Sequence, residues 1–178
     1  VQPPHNIFVS SISPSSQTIT IGTVVPIEAV IQNSGGYTEY GLNAIATITG
    51  PNGYVQTYNQ TISSLLSGSS TTRTFNWPTS GVIAGTYTIK LEVPFSLDAY
   101  PSDNIRTVTN TLSSPPTLTV DATTDKTNYV QGESISLSAT VTANSSSVSG
   151  ALVTYFIKDS GNQTISSGQL PDQTNGVY

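Results

Sequence analysis

The stretch from Gly85 to Pro94 constrains the fold more than any other part of the chain. Apolar side chains take every second position, and Thr88, Lys90 and Glu92 lie between them. The apolar positions are Tyr87, Ile89, Leu91 and Val93. A period of two is typical of a β-strand with one buried face and one solvated face. The stretch therefore predicts a strand whose apolar face needs a second layer of strands to cover it.

Shorter segments of similar alternation occur on both sides of this strand, and Gly, Pro, Asn and Ser separate them. They are Asn6–Ile12, Thr18–Ile21, Val25–Ile31, Leu42–Ile48, Tyr54–Gln60, Thr71–Trp77 and Ile105–Leu112. No window of useful length shows a helical period. Short strands at this spacing are typical of an antiparallel, immunoglobulin-like β-sandwich, which we predict for residues 1–112. Phe75 and Trp77 alternate onto one face and are interpreted as core residues rather than as a platform for sugars.

A second unit is predicted after a Ser-Ser-Pro-Pro linker at residues 113–116, which the two prolines make extended and stiff. Residues 117–178 contain further strand patterns, and Leu152–Ile157 is apolar on both faces, as a central strand would be. This unit is shorter than the about 100 residues that an immunoglobulin-like sandwich needs. We therefore expect two tandem sandwiches, the second incomplete because the chain continues or because another subunit completes it.

Composition narrows the classes of function. Only 8% of residues are charged, against about 25% in ordinary domains, while Ser and Thr number 53. The net charge of -5 and the scattered basic residues argue against nucleic-acid binding. The chain has no cysteine, so disulfides and thiolate metal sites are excluded. No segment approaches the roughly 20 apolar residues of a membrane helix, so no membrane span is predicted.

Catalytic chemistry finds no support in the sequence. His5 is the only histidine, and it lies in a proline-flanked segment near the N-terminus. A Ser-His-Asp arrangement would have to use it, because this chemistry needs an imidazole beside the nucleophile. We therefore expect no enzyme activity and no cofactor.

Two groups of acidic residues are the candidates for calcium binding through carboxylate oxygens. They are Glu92, Asp98 and Asp103, and, more weakly, Asp121, Asp125 and Glu133. Neither group has the spacing of a calcium-binding loop. Solvated acidic loops are the preferred interpretation, and no metal site is predicted.

Three sequons are candidates for N-glycosylation. They begin at Asn59, Asn144 and Asn162, and each is expected at a loop or strand end. Such triplets also arise by chance in a chain rich in Ser and Thr. On the interpretation that the chain is extracellular, we expect at least one of them to be occupied, with N-glycans as partners.

The first part of the chain resembles CARDB-like domains, immunoglobulin-like modules repeated in bacterial and archaeal surface proteins. Their V-x-N-x-G signature reads Val30-Ile31-Gln32-Asn33-Ser34-Gly35 here, with one residue more between the valine and the asparagine, and Gly85–Tyr87 with Asp103-Asn104 match the end of such a domain. The usual paired asparagine after the acidic loop is Asn104-Ile105 here. The resemblance implies a non-catalytic module of a cell-surface protein.

The second part resembles macroglobulin-type and bacterial immunoglobulin-like repeats at Tyr129–Ile135, Val148–Val153 and Asn175–Tyr178. The low-charge, hydroxyl-rich composition also resembles secreted proteins of thermoacidophilic archaea. These resemblances imply an S-layer stalk or anchor, or an adhesin module, with other surface-layer subunits as partners.

Two alternatives remain open. The first is a filament subunit that self-assembles by donor-strand complementation, with Val1–Ile12 as the donor. The second is an accessory module of a secreted hydrolase. The flanking coding sequence would decide the hydrolase alternative, because a catalytic domain would have to be encoded beside this chain.

Overall fold

The computed structural model describes residues 4–178, and these residues form thirteen β-strands and one 3₁₀ turn without an α-helix. The all-β prediction is confirmed. The chain divides after Pro115 into two compact units. Each unit is described by itself.

Eight strands build the first unit as two sheets. Their bounds are β1 (Ile7–Ser13), β2 (Thr18–Thr20), β3 (Val24–Asn33), β4 (Glu39–Thr49), β5 (Val55–Leu65), β6 (Ser70–Pro78), β7 (Gly85–Glu92) and β8 (Ile105–Ser113). One sheet has the order β1-β3-β6 and the other β2-β8-β7-β4-β5. Pairing is antiparallel except between β2 and β8, which run parallel. Apart from this one parallel pair, the sandwich has the antiparallel pairing that the sequence predicts.

The core of the first unit forms around β7, as its alternation predicts. Tyr87, Ile89 and Leu91 are fully buried on the inner face of β7, which pairs with β4 and β8. Phe75 and Trp77 of β6 belong to the same hydrophobic cluster. The Trp77 indole N–H donates to the Tyr54 hydroxyl at 2.9 Å, so its polar atom is satisfied. The prediction that Phe75 and Trp77 are core residues is confirmed.

The conformation of the turn between β4 and β5 depends on the identity of three residues, Gly50, Asn52 and Gly53. The 3₁₀ turn Pro51–Gly53 places Asn52 at φ 54° and Gly53 at φ 74°, a region that Asn and Gly tolerate well. A Cβ atom on Gly50 would lie 2.3 Å from the Tyr87 ring, so only glycine fits there. This local chemistry produces the turn of the hairpin that β4 and β5 form.

Five strands build the second unit. They are β9 (Leu118–Thr124), β10 (Leu137–Ala143), β11 (Ser146–Ser147), β12 (Val153–Lys158) and β13 (Thr164–Leu170). One sheet has the order β11-β10-β9, and β12 pairs with β13 alone. Gly176 and Tyr178 also pair with β10 through main-chain hydrogen bonds.

The prediction that Leu152–Ile157 is a central strand is wrong. In the part of the chain that the structure describes, β12 has one neighbour, β13. Phe156 is 64% exposed and Leu152 is 75% exposed. The buried core of this unit consists of Ala139, Val141, Val153 and Tyr178. A core this small cannot cover both faces of β12.

Candidate functional site: the loop between β7 and β8

The loop between β7 and β8, residues 93–104, is bound to the edge strand β1 by main-chain contacts. The Ile7 N–H donates to Asp98 Oδ2 at 2.7 Å, and the Val9 N–H donates to the Asp103 carbonyl at 3.0 Å. The Ala99 N–H donates to the His5 carbonyl at 3.0 Å. An edge strand presents unpaired polar groups. The loop supplies acceptors for two of those of β1, the Ile7 and Val9 N–H groups.

Asp98 is a structural residue of this loop. Its second carboxylate oxygen accepts a hydrogen bond from the Tyr100 N–H at 2.7 Å, so both oxygens bind main-chain donors. The expectation of a solvated acidic residue is wrong here. Glu92, the third member of the predicted group, is paired with Lys90 of the same strand.

Asp103 differs from Asp98, because its Oδ1 is buried and has no hydrogen-bond partner. Burial raises the pKa of this carboxyl above its usual value of 3.8, and the charge of Asp98 raises it further. A solvated loop would leave the pKa near its ordinary value. The Oδ1 atom of Asp103 therefore departs from the expectation of a solvated carboxylate, while the residue as a whole is half-buried.

Two amide oxygens in or beside this loop also lack a hydrogen-bond partner. Asn6 Oδ1 and Asn104 Oδ1 are buried without a partner, and Asn104 is only 3% exposed. Among the described residues, these two atoms and Asp103 Oδ1 are the buried side-chain polar atoms without a partner. The sequence analysis did not single out Asn6, and it treated Asn104 only as part of a family motif.

The asparagine of the V-x-N-x-G motif has a structural role. Asn33 is buried, and its amide N–H groups donate to the carbonyls of Tyr37 at 2.7 Å and Leu65 at 2.9 Å. Its Oδ1 accepts the Gly35 N–H at 2.9 Å. A Cβ atom on Gly35 would lie 2.6 Å from the Asn6 main-chain nitrogen, so the motif needs glycine. The motif thus joins the end of β3 to β5 and to the segment before β1.

His5 is engaged in packing. Its Nδ1 lies 2.7 Å from Glu39 Oε1, and its ring stacks on Tyr37 with 4.5 Å between ring centroids. Glu39 is buried, so the imidazole supplies its polar partner. Within residues 4–178 no hydroxyl is hydrogen-bonded to the imidazole. This arrangement holds β4 against the segment that precedes β1.

The second acidic group does not form a common site. Asp125 accepts hydrogen bonds from the Tyr129 hydroxyl at 2.7 Å and the Ser136 N–H at 2.8 Å, and these bonds lower its pKa. Glu133 pairs with Lys126 and accepts the Val130 N–H, which lowers its pKa too. Asp121 lies on β9 opposite Thr140. No group of three or more His, Cys, Asp or Glu residues within 4–178 has metal-binding geometry.

The three sequon asparagines are all exposed to solvent. Asn144 and Asn162 lie in turns at positive φ, 49° and 64°. Asn59 lies in the middle of the edge strand β5, opposite Ile45 of β4, so its expected position at a strand end is wrong. In the described part of the chain no helix has the length and apolarity to cross a membrane.

A comparison with protein families finds the CARDB family model over residues 6–95. Among solved structures, a CARDB domain from Pyrococcus furiosus is 18% identical, with a TM-score of 0.48 over 62% of this chain and 95% of that one. A domain assigned to a cell surface protein of Methanosarcina acetivorans is 24% identical, with a TM-score of 0.48 over 64% of this chain and 94% of its own.

A tetra-tandem repeat from the extending region of a large adhesion protein is 15% identical, with a TM-score of 0.35 over 99% of this chain and 39% of that chain. The comparison with curated proteins found no match. The macroglobulin-like character of residues 117–178 stays a prediction. The family model covers half of the chain and includes the buried Asn33 and the Gly35 N–H that donates to it. The chain therefore belongs to the CARDB family.

Proposed function

We propose that this chain is a non-catalytic structural module of the extracellular cell surface, as part of an S-layer stalk or anchor or of an adhesin. One observation carries the proposal: the residues able to support chemistry are used to hold strands and loops together. His5 pairs with Glu39, Asp98 binds two main-chain N–H groups, and Asn33 joins three segments. Membership of the CARDB family and the hydroxyl-rich composition support the same function.

Labelling of intact cells tests the location. An antibody against the first unit is expected to label unbroken cells of the native source and to detect the protein in the envelope fraction. Protease added outside the cells should remove that signal while a cytosolic marker stays intact. Labelling that requires lysis would contradict a surface location.

N-glycosylation of Asn59, Asn144 and Asn162 is part of the proposal, because all three side chains are exposed. The intact mass of the native protein is expected to fall on deglycosylation. Replacing each asparagine by Gln should remove one glycan mass, whereas Asn43→Gln, exposed but outside a sequon, should remove none. An unchanged mass after deglycosylation would exclude glycans from the proposal.

A filament subunit is the second candidate, and the exposed apolar side chains of the second unit favour it. Phe156 and Ile165 are 64% and 66% exposed, and Leu118 and Val120 are each 56% exposed. Such side chains suit contact with another subunit. The proposed donor segment Val1–Ile12 is wrong where the structure describes it, because β1 pairs with β3 and buries Ile7, Val9 and Ile12 in its own sandwich. Residues 1–3 lie outside the described residues.

Sedimentation velocity tests the filament candidate. The full chain is expected to form larger species as its concentration rises, and Phe156→Ser with Ile165→Ser should abolish them. Ser166→Ala, exposed on the same hairpin, serves as the control. A monomer at all concentrations would count against self-assembly through this surface.

A further inference from the structure

Strand β5 forms one edge of the five-stranded sheet of the first unit. It is eleven residues long and pairs with β4 without a shift of register. Within residues 4–178 no strand pairs with its other side. Gln60 donates to the Thr74 carbonyl of β6 in the other sheet, a bond that leaves the main chain of β5 uncovered. The free side of β5 therefore presents a row of main-chain donors and acceptors to solvent.

This edge lacks the features by which proteins keep edge strands from pairing with other chains. Those features are charged side chains, proline, bulges and a covering segment. The chain has no charged residue and no histidine between Glu39 and Arg73, and β5 contains no proline. The edges of the other sheet differ, because the loop between β7 and β8 covers β1, and β6 contains Arg73 and ends at Pro78. Strand β5 is therefore open to a further strand.

The partner that fits this edge is a second copy of the chain. Val55–Ile62 is rich in β-branched and aromatic residues and contains no charge, proline or glycine, a composition that favours pairing between identical strands. The net charge of -5 makes copies of the chain repel one another, but β5 carries none of that charge. Two copies can therefore pair their β5 strands antiparallel about a twofold axis without opposing acidic groups along the contact.

A sequon lies at the centre of the same edge. Asn59 is exposed on β5, and Thr57 and Thr61 are exposed on the same face of the strand. The side chains of a strand paired with β5 would lie about 4.5–5.5 Å from these residues. An N-glycan on Asn59 is bulky and would occupy that space. The other two sequons, at Asn144 and Asn162, lie in turns of the second unit.

We propose that an N-glycan on Asn59 blocks the β5 edge, and that two copies of the chain pair through β5 when this glycan is absent. The glycan takes the place of the charged side chains and prolines that protect other edge strands. This role depends on the N-glycosylation proposed above and gives one of the three sequons a function that the other two do not share. In a surface assembly, where copies lie close together, the blocked edge leaves contacts between them to other surfaces.

Two substitutions of Thr61 test this role, because they change the sequon without changing Asn59. Thr61→Ala destroys the sequon, and Thr61→Ser preserves it. The full chain is produced in its native source, and Phe156→Ser with Ile165→Ser are included in every variant to remove association through the second unit. Sedimentation equilibrium should give a monomer for Thr61→Ser and a mass that approaches the dimer for Thr61→Ala as its concentration rises. Asn162→Gln, which removes a sequon of the second unit, should remain a monomer.

A charge placed on the edge tests the position of the contact. Thr57→Lys added to the Thr61→Ala chain is expected to restore the monomer, because a lysine on an edge strand opposes pairing. Thr109→Lys, exposed on β8, adds the same charge away from β5 and should leave the dimer intact. Amide hydrogen exchange at residues 55–64 should become slower when the Thr61→Ala chain dimerises, since pairing protects main-chain N–H groups.

Peptide mass spectrometry at Asn59 separates a failure of this role from a failure of the proposed glycosylation. A native chain without a glycan on Asn59 would contradict glycosylation of this sequon and its role on β5 together. A glycosylated Asn59 combined with a monomeric Thr61→Ala chain would overturn the role on β5 and leave the proposed surface function unaffected. Equal association of Thr61→Ala and Thr61→Ser, or a dimer without slower exchange at residues 55–64, would overturn it as well.

Discussion

Three buried asparagines of the first unit differ in what their side chains bond. Asn33 and Asn110 each satisfy main-chain groups that the strands leave unpaired, so they replace backbone pairing at the ends of strands. Asn104 has the same burial without such a role for its oxygen. At the residue scale, equal burial of an asparagine therefore does not mean that its side-chain oxygen has the same hydrogen-bonding role.

Replacing Asn33 with Ala is expected to lower the free energy of unfolding of the first unit by about 3 kcal/mol, because buried main-chain groups lose their partners. Asn43→Ala on β4 is the matched control. Its side chain is exposed, and its effect should stay within about 0.5 kcal/mol. Urea unfolding followed by Trp77 fluorescence measures both, and equal effects would contradict the role of Asn33.

The sequence predicts apolar burial well at this scale and polar partners poorly. Alternation alone identifies Tyr87, Ile89 and Leu91 as buried, because a period of two fixes the face of a strand. The partner of Asn33 on β5 is Leu65, 32 residues away. No local pattern indicates a contact of that separation, and the same holds for Asp98 and Ile7, 91 residues apart.

At the scale of elements, β12 is a strand whose sequence pattern does not agree with its position in the sheet. Its apolar residues predict burial on both faces, yet β12 has only β13 as a neighbour in the described chain and Phe156 is exposed. The sequence pattern shows which side chains are apolar enough to favour burial. Whether they are buried depends on the strands that pack against them. The parallel pairing of β2 with β8 likewise depends on the path of the chain and not on local alternation.

A pair of substitutions on β12 tests this assignment. Val153 is 8% exposed and belongs to the small core, so Val153→Ser is expected to destabilise the second unit by about 2 kcal/mol. Phe156→Ser should change its stability by no more than about 0.5 kcal/mol, since the ring is already exposed. Tyrosine near-ultraviolet circular dichroism of the native chain and both variants during urea unfolding gives the comparison. Larger destabilisation by Phe156→Ser would mean that β12 is covered.

At the scale of the whole chain, the two units differ greatly in the size of their cores. Among residues 4–178, the core of the first unit contains twenty buried apolar residues and that of the second contains four. Because apolar burial is the main favourable term in folding, we expect two thermal transitions, with the second unit unfolding first. Circular dichroism should show both, whereas Trp77 fluorescence should follow the later one alone. A single transition seen identically by both probes would show that the units unfold together.

The two units are also expected to respond differently to acid, because their carboxyl groups differ in the direction of their pKa shifts. Asp103 has a pKa raised above 3.8 by burial and by Asp98, so the folded first unit binds this proton more readily than the unfolded chain. Its contribution to stability therefore grows as the pH falls through the raised pKa toward 3.8. Asp125 and Glu133 have pKa values lowered below 3.8 and 4.5, so their contribution is present above those values and is lost as the pH falls through the lowered ones.

The interval between the two melting temperatures is therefore expected to widen from about pH 7 to about pH 3.5. Asp103→Asn should remove the gain of the first unit, and Asp125→Asn should reduce the loss of the second. Because every other carboxyl group is unchanged in each variant, subtracting the profile of the variant from that of the native chain isolates one group. A profile of Asp103→Asn that parallels the native one would mean that Asp103 is as well solvated in the folded first unit as in the unfolded chain.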